Sequence, residues 1–158
     1  MKPIVVYFSQ SGNTESLARR ISEDLGCESC KIEAVNDYGS YVKALFKFTA
    51  EKITRAKSYY ANILPDLSGY DIIILGFPLW ASAPPPFVTE FIRNCGTEGK
   101  MIIPFSTSGS TSISTAVPKL RKELGNSKIL YPFNFSRVSK DDYDSWMRVV
   151  RTIISEEE

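Results

Sequence analysis

The sequence predicts an α/β sandwich built on a parallel sheet, and two observations carry that prediction. Four short segments rich in Ile, Val and Phe lie between turn residues, at Ile4 to Phe8, Asp71 to Gly76, Met101 to Phe105 and Lys128 to Phe135. Strands buried on both faces read this way. Amphipathic helical patterns alternate with them, and such alternation places helices on both faces of a parallel sheet. A weaker run, Glu28 to Ala34, makes a fifth strand.

The clearest helix runs from Thr14 to Leu25, where Leu17, Ala18, Ile21 and Leu25 share a face and Gly26 stands at the C-terminal cap position. Further helices are expected at Pro86 to Asn94, at Ile113 to Leu124 closed by Gly125, and at Asp141 to Ile154, where Trp146, Val149, Val150 and Ile153 fall at helical spacing. The connection from Asn36 to Pro65 carries too many aromatic and aliphatic residues for a bare loop and should contain a helix. Pro104 conflicts with a central strand, because it removes a ladder donor, and a strand end or a bulge is needed to accommodate it. No repeat, low-complexity tract or linker interrupts the chain, so residues 1–158 are expected to form a single domain.

Composition removes several classes of function. The 158 residues include 19 Lys and Arg, 18 Asp and Glu, and no His, for a net charge of +1. Without an imidazole, Ser-His-Asp and Cys-His triads and the common zinc sites are excluded. A near-neutral chain with no aromatic-plus-basic signature is not expected to bind nucleic acid. The basic stretch from Tyr41 to Tyr60 reads as a solvated helix face. No apolar run is long enough to span a bilayer and no targeting pattern opens the chain, so a cytoplasmic protein with no membrane association is expected.

In an open parallel sheet the ligand sits beyond the carboxyl ends of the strands, which directs attention to three loops. The first, Ser9, Gln10, Ser11, Gly12, Asn13 and Thr14, joins an apolar strand to an amphipathic helix. Its hydroxyls, its glycine and the free N–H groups of the helix start would cradle a terminal phosphate. It has neither the Lys of a Walker motif nor a G-x-G-x-x-G fingerprint, so a monophosphate held by neutral donors fits best. The second loop, Phe77 to Pro86, holds Pro78, Leu79, Trp80 and Ala81, and its proline-stiffened Trp is expected to present a flat apolar face. The third, Ser106 to Ser112, offers the hydroxyls and backbone donors of Thr107, Ser108, Gly109 and Ser110 to the polar edge of a heterocycle.

A phosphate nest, an aromatic plate and a polar loop, after the first, third and fourth strands, match the needs of flavin mononucleotide (FMN). With these motifs the sequence resembles the flavodoxin family over essentially its whole length. The likeness lies in Ile4 to Thr14, in Asp71 to Trp80, and in Pro104 to Gly109. It implies a flavodoxin-like three-layer sandwich with strand order 2-1-3-4-5 and one FMN. Ser9, Ser11, Gly12, Asn13 and Thr14 would hold the phosphate, Trp80 would lie against the isoalloxazine, and Thr107 to Ser110 would line its pyrimidine edge. The length fits the shorter family members, which lack an inserted loop in the last strand.

Three features depart from that pattern. The third loop has no aromatic to cover the outer flavin face, leaving it open or covered from elsewhere, such as the Tyr41 to Tyr60 segment. Carrier flavodoxins are usually strongly acidic, and this chain is not. A Gly commonly follows the aromatic of the second loop, where φ is positive in the turned form of the peptide, and here Ala81 stands in its place.

Cys27 and Cys30 match C-x-x-C but do not open a helix, so they read as structural thiols. The leading expectation is an FMN-binding redox protein that transfers electrons through its flavin to a redox partner protein. An FMN-dependent NAD(P)H oxidoreductase acting on quinones or similar small acceptors is the first alternative. A non-redox interaction module that has lost FMN is the second.

Overall fold

The computed structural model describes residues 1–34, 66–135 and 140–156. The helix expected between Asn36 and Pro65 falls outside the described residues. The observed elements are β1 (Pro3–Tyr7), α1 (Asn13–Leu25), β2 (Glu28–Lys31), β3 (Ile72–Pro78), α2 (Pro86–Asn94), β4 (Met101–Thr107), α3 (Val117–Leu124), β5 (Lys128–Ile129), β6 (Phe133–Asn134) and α4 (Lys140–Ser155). All strand pairs are parallel and the order is β2-β1-β3-β4-β5, with β6 also paired to β4. Strand order and class are those the resemblance implied.

Side chains alternate between the two faces because successive Cβ atoms of a strand point to opposite sides. Ile4, Val6, Ile73, Leu75, Phe77 and Ile102 pack beneath α2 and α3 against Phe87, Phe91, Leu120 and Leu124. Val5, Tyr7, Ile72, Ile74, Ile103 and Phe105 face α1 and α4, meeting Ala18, Ile21, Trp146, Met147 and Val150. Each large apolar side chain removed from water in this way contributes about 1.5–3 kcal/mol before entropy is counted. The two layers of burial hold the strand ends, and therefore the loops above them, in fixed register.

Two elements differ from the sequence expectation. The segment Ile113 to Leu124 is divided into a short 3-10 turn, Ile113–Thr115, and α3, because Pro118 lacks an N–H and sits in the first turn of a new helix. The last strand is likewise divided, with Leu130, Tyr131 and Pro132 between β5 and β6, and Tyr131 takes a positive φ of 42°.

That division accommodates Pro104. The N–H groups of Lys128 and Leu130 donate to the carbonyls of Lys100 and Ile102, and that of Phe135 donates to Ser106. Even-numbered residues of β4 thus point toward β5 and β6, and the missing N–H of Pro104 faces the interruption. The interruption is fixed in turn by the Trp146 indole, whose Nε1–H donates to the Tyr131 carbonyl at 3.0 Å.

One glycine determines how the central strands approach each other. Gly76 pairs with Phe105, and a Cβ at Gly76 would lie 2.2 Å from the Phe105 ring. That ring is fully buried and packs edge-on against Phe135 and Trp146. Gly76→Ala is therefore expected to lower unfolding stability by about 1–3 kcal/mol through overpacking, read as a lower urea midpoint. An unchanged midpoint would contradict this account of the β3–β4 contact.

Candidate functional site

The sequence turns from β1 into α1 at Gly12, which has φ 88° and forms the N-cap of the helix. A left-handed cap residue is inexpensive only for glycine. The Gly12 N–H donates to the Ser9 hydroxyl at 3.1 Å, while the Gly12 carbonyl accepts from the Ser16 N–H at 2.9 Å. No side chain caps the helix start, so the first-turn N–H groups face outward from the carboxyl edge of the sheet, where the helix dipole adds partial positive charge.

The acid in that first turn is neutralised. Glu15 accepts from Lys31 at 2.8 Å and from Arg19 at 3.4 Å. The hydrogen bond from Lys31 holds its carboxyl below the ordinary range, and the same bond raises Lys31. The buried Tyr7 phenol beside them is pushed up, first by desolvation and then by Glu15. A ligand anion at the helix start therefore meets a paired carboxylate.

Beyond the helix start lies a groove of about 880 Å³ lined by Ser11, Asn13, Ser16, Leu17, Arg20, Pro78, Leu79, Thr107, Ser108, Gly109 and Phe135. It brings together one part of each of the three loops singled out in the sequence. Other residues of those loops do not line it. Ser9 and Thr14 are buried, with the Thr14 and Thr107 hydroxyls hydrogen-bonded at 2.7 Å, a bond that ties the first loop to the third. Gln10 is half-buried, and Ser110 is exposed beside Gly109.

Trp80 differs from expectation. Its side chain is 1% exposed and packs edge-on against Phe8 and Phe87 at centroid distances of 5.6 and 6.0 Å. The indole belongs to the core under α2 and presents no open face; the chain approaches the groove at Pro78 and Leu79 instead. The physical reason is the turn that follows. Trp80 and Ala83 exchange both backbone hydrogen bonds, at 2.9 and 3.0 Å, around Ala81 (φ 48°) and Ser82 (φ 60°). Two positive-φ residues define a type I′ hairpin, which folds the loop back and directs the indole inward. Ala81 thus already stands in the positive-φ conformation that its Cβ was expected to disfavour. Thr115 and Lys119 donate to the Ser82 carbonyl at 3.4 and 3.3 Å and brace the turn.

Sequence reasoning missed Ser16, Leu17, Arg20 and Phe135. The first three follow Asn13 at helical spacing along α1, with Leu17 half-buried at the margin of the apolar face. Phe135 stands just after the last strand, whose carboxyl end, like that of the second strand, contributes none of the three loops. Cys27 and Cys30 pack into opposite core layers and are free. Burial raises both thiols, which makes them poor nucleophiles. Among the described residues there is no group of metal-ligating side chains, and no helix is long and apolar enough to cross a membrane.

A doubly wound sheet with an uncapped helix start opening into a groove at its carboxyl edge defines a nucleotide-binding α/β protein. The chain belongs to the flavodoxin family, whose description, Flavodoxin, matches residues 2–150. Among solved structures, a protein of Bacteroides uniformis ATCC 8492 provisionally assigned as a flavoprotein is 26% identical, with a TM-score of 0.83 over 93% of this chain and 97% of that one. A flavoprotein of Lactobacillus acidophilus NCFM in complex with FMN is 17% identical, with a TM-score of 0.74 over 92% and 97% of the two chains. A flavodoxin from the domain Archaea is 18% identical, with a TM-score of 0.55 over 94% and 93%. No curated protein sequence matches the chain significantly.

The placement of Trp80 is open to direct test. Trp80→Ala is expected to cost about 3–5 kcal/mol of stability, as for other large core truncations, in thermal or urea unfolding of the apoprotein. Near-unchanged apoprotein stability, with flavin affinity lost, would instead put the indole at the ligand.

Proposed function

We propose that the chain binds FMN and works as a redox flavoprotein, with the phosphate at the start of α1 and the ring system along the groove toward Pro78, Leu79 and the Thr107 to Gly109 loop. The uncapped first turn of α1 carries this reading, because its N–H groups need an acceptor and open onto the groove. The family and the FMN complex of the Lactobacillus relative support it.

FMN, when bound, supplies the electron transfer. The protein's part is binding and positioning. Ser11 and Asn13 offer polar side chains at the phosphate end, and Gly12 lets the backbone approach closely. The Thr14–Thr107 bond sets the distance between phosphate loop and ring loop. Pro78, Leu79 and Phe135 supply apolar wall, while Ser108 and Gly109 supply polar edge. The electron donor or acceptor is either a partner protein or NAD(P)H with a small acceptor. The net charge of +1 favours the small molecules, since it provides none of the acidic field that steers a carrier to a basic partner.

Reconstituting the apoprotein with FMN and with FAD tests the reading. FMN should be retained in preference, because the nest accommodates one terminal phosphate. Ser11→Ala should remove a donor worth about 1.5–3 kcal/mol to a charged acceptor, at least tenfold in affinity. Equal or stronger FAD retention, or an unaffected Ser11→Ala, would overturn it.

A further inference from the structure

The groove does not end at the phosphate nest. Asn13, Ser16, Leu17 and Arg20 line it along one face of α1, and seven residues of helix carry it about 10 Å from Asn13 to Arg20. Arg20 is the one charged side chain among its described lining residues.

Arg20 is held but not consumed. Its guanidinium lies over the Tyr143 ring, 3.8 Å from the centroid. Its nearest carboxylate is Asp24, 3.8 Å from Nε and beyond hydrogen-bond distance. That same Asp24 oxygen already accepts the Tyr143 hydroxyl at 2.6 Å. Among the described residues the Arg20 guanidinium therefore donates no hydrogen bond, although stacking fixes its plane. A planar fork in this condition suits two-point recognition of a carboxylate or phosphate. A second cavity that Arg20 also lines adds Arg148 and Arg151 but also Asp24, Asp141 and Asp144, so its charges balance. An anion is drawn to the groove side, where no lining carboxylate opposes it.

We propose that Arg20, braced by Tyr143, forms an anion subsite at the far end of the groove. It takes the phosphate or carboxylate of the small-molecule electron donor or acceptor, and is separate from the seat of the flavin phosphate. Assigning the ligand to the redox substrate rests on the FMN reading above; the anion site itself does not.

The test follows the Arg Nε–Hε resonances of the ¹⁵N-labelled full chain at constant ionic strength, without and with FMN. Inorganic phosphate and succinate are the two probes. A saturable shift of the Arg20 resonance is expected in both forms. A stronger response to phosphate marks a phosphorylated donor such as a nicotinamide dinucleotide, and a stronger response to succinate a carboxylate-bearing acceptor; either supports the proposal. Followed through the amides of Ser16 and Leu17, Arg20→Lys should weaken binding at least fivefold, since charge remains and the fork is lost. Arg20→Gln should abolish it while changing FMN affinity less than threefold. The absence of a saturable shift with either probe would overturn the proposal. So would loss of the response on FMN loading together with a tenfold or greater fall in FMN affinity in Arg20→Gln, which would make Arg20 a ligand of the flavin phosphate. If the chain takes up no FMN at all, the proposed function fails, and the titration of the apoprotein still decides whether Arg20 binds anions.

Discussion

The turn from β1 into α1 is the constraint on which the site depends. A helix that begins with a left-handed glycine and no side-chain cap leaves donors without partners within the helix, and exposing them at a groove is tolerable only where water or an anion can accept from them. The sheet determines where those donors point. Because β1 is central and buried on both faces, its end is fixed by its neighbours on either side, and the first loop cannot retreat from the carboxyl edge. The Thr14–Thr107 bond then carries that position across to the end of β4.

The far side of the sheet shows how one local violation is absorbed. Pro104 removes a ladder donor from an interior strand, and the chain answers by interrupting the neighbouring strand opposite it. The interruption places Tyr131 in a positive-φ conformation, and the Trp146 indole binds its carbonyl. Phe105 occupies the space that Gly76 leaves vacant and stacks toward Phe135 and Trp146. Phe135 in turn reaches the groove wall. Packing beneath the sheet and the shape of the site are therefore connected through aromatic contacts.

Much of this was legible in the sequence because it is local. Strand positions followed from short buried runs, α1 from its apolar spacing and Gly26, and the phosphate loop from small polar residues between strand and helix. What was not legible depends on partners distant in sequence. Trp80 reads as an exposed plate until Phe8 and Phe87 are seen to enclose it, and no sequence signal marked a type I′ hairpin at Ala81 and Ser82, which lacks the Gly or Asn such a turn favours. Pro118 and Pro132 could have divided their elements in advance, since each lacks the N–H that a continuous helix or strand requires. Arg20 lies outside all three loops, because the groove follows the face of α1 beyond the carboxyl edge of the sheet.

The central claim, that the first turn of α1 holds a phosphate, is tested most directly by the phosphorus-31 resonance of bound FMN followed from pH 5 to 9. A free phosphate monoester loses its second proton near pH 6. Donors that favour the dianion should push that transition below the titrated range, so the bound resonance is expected to stay constant throughout. A bound resonance that titrates near pH 6, as the free cofactor does, would show that the helix start does not hold the phosphate.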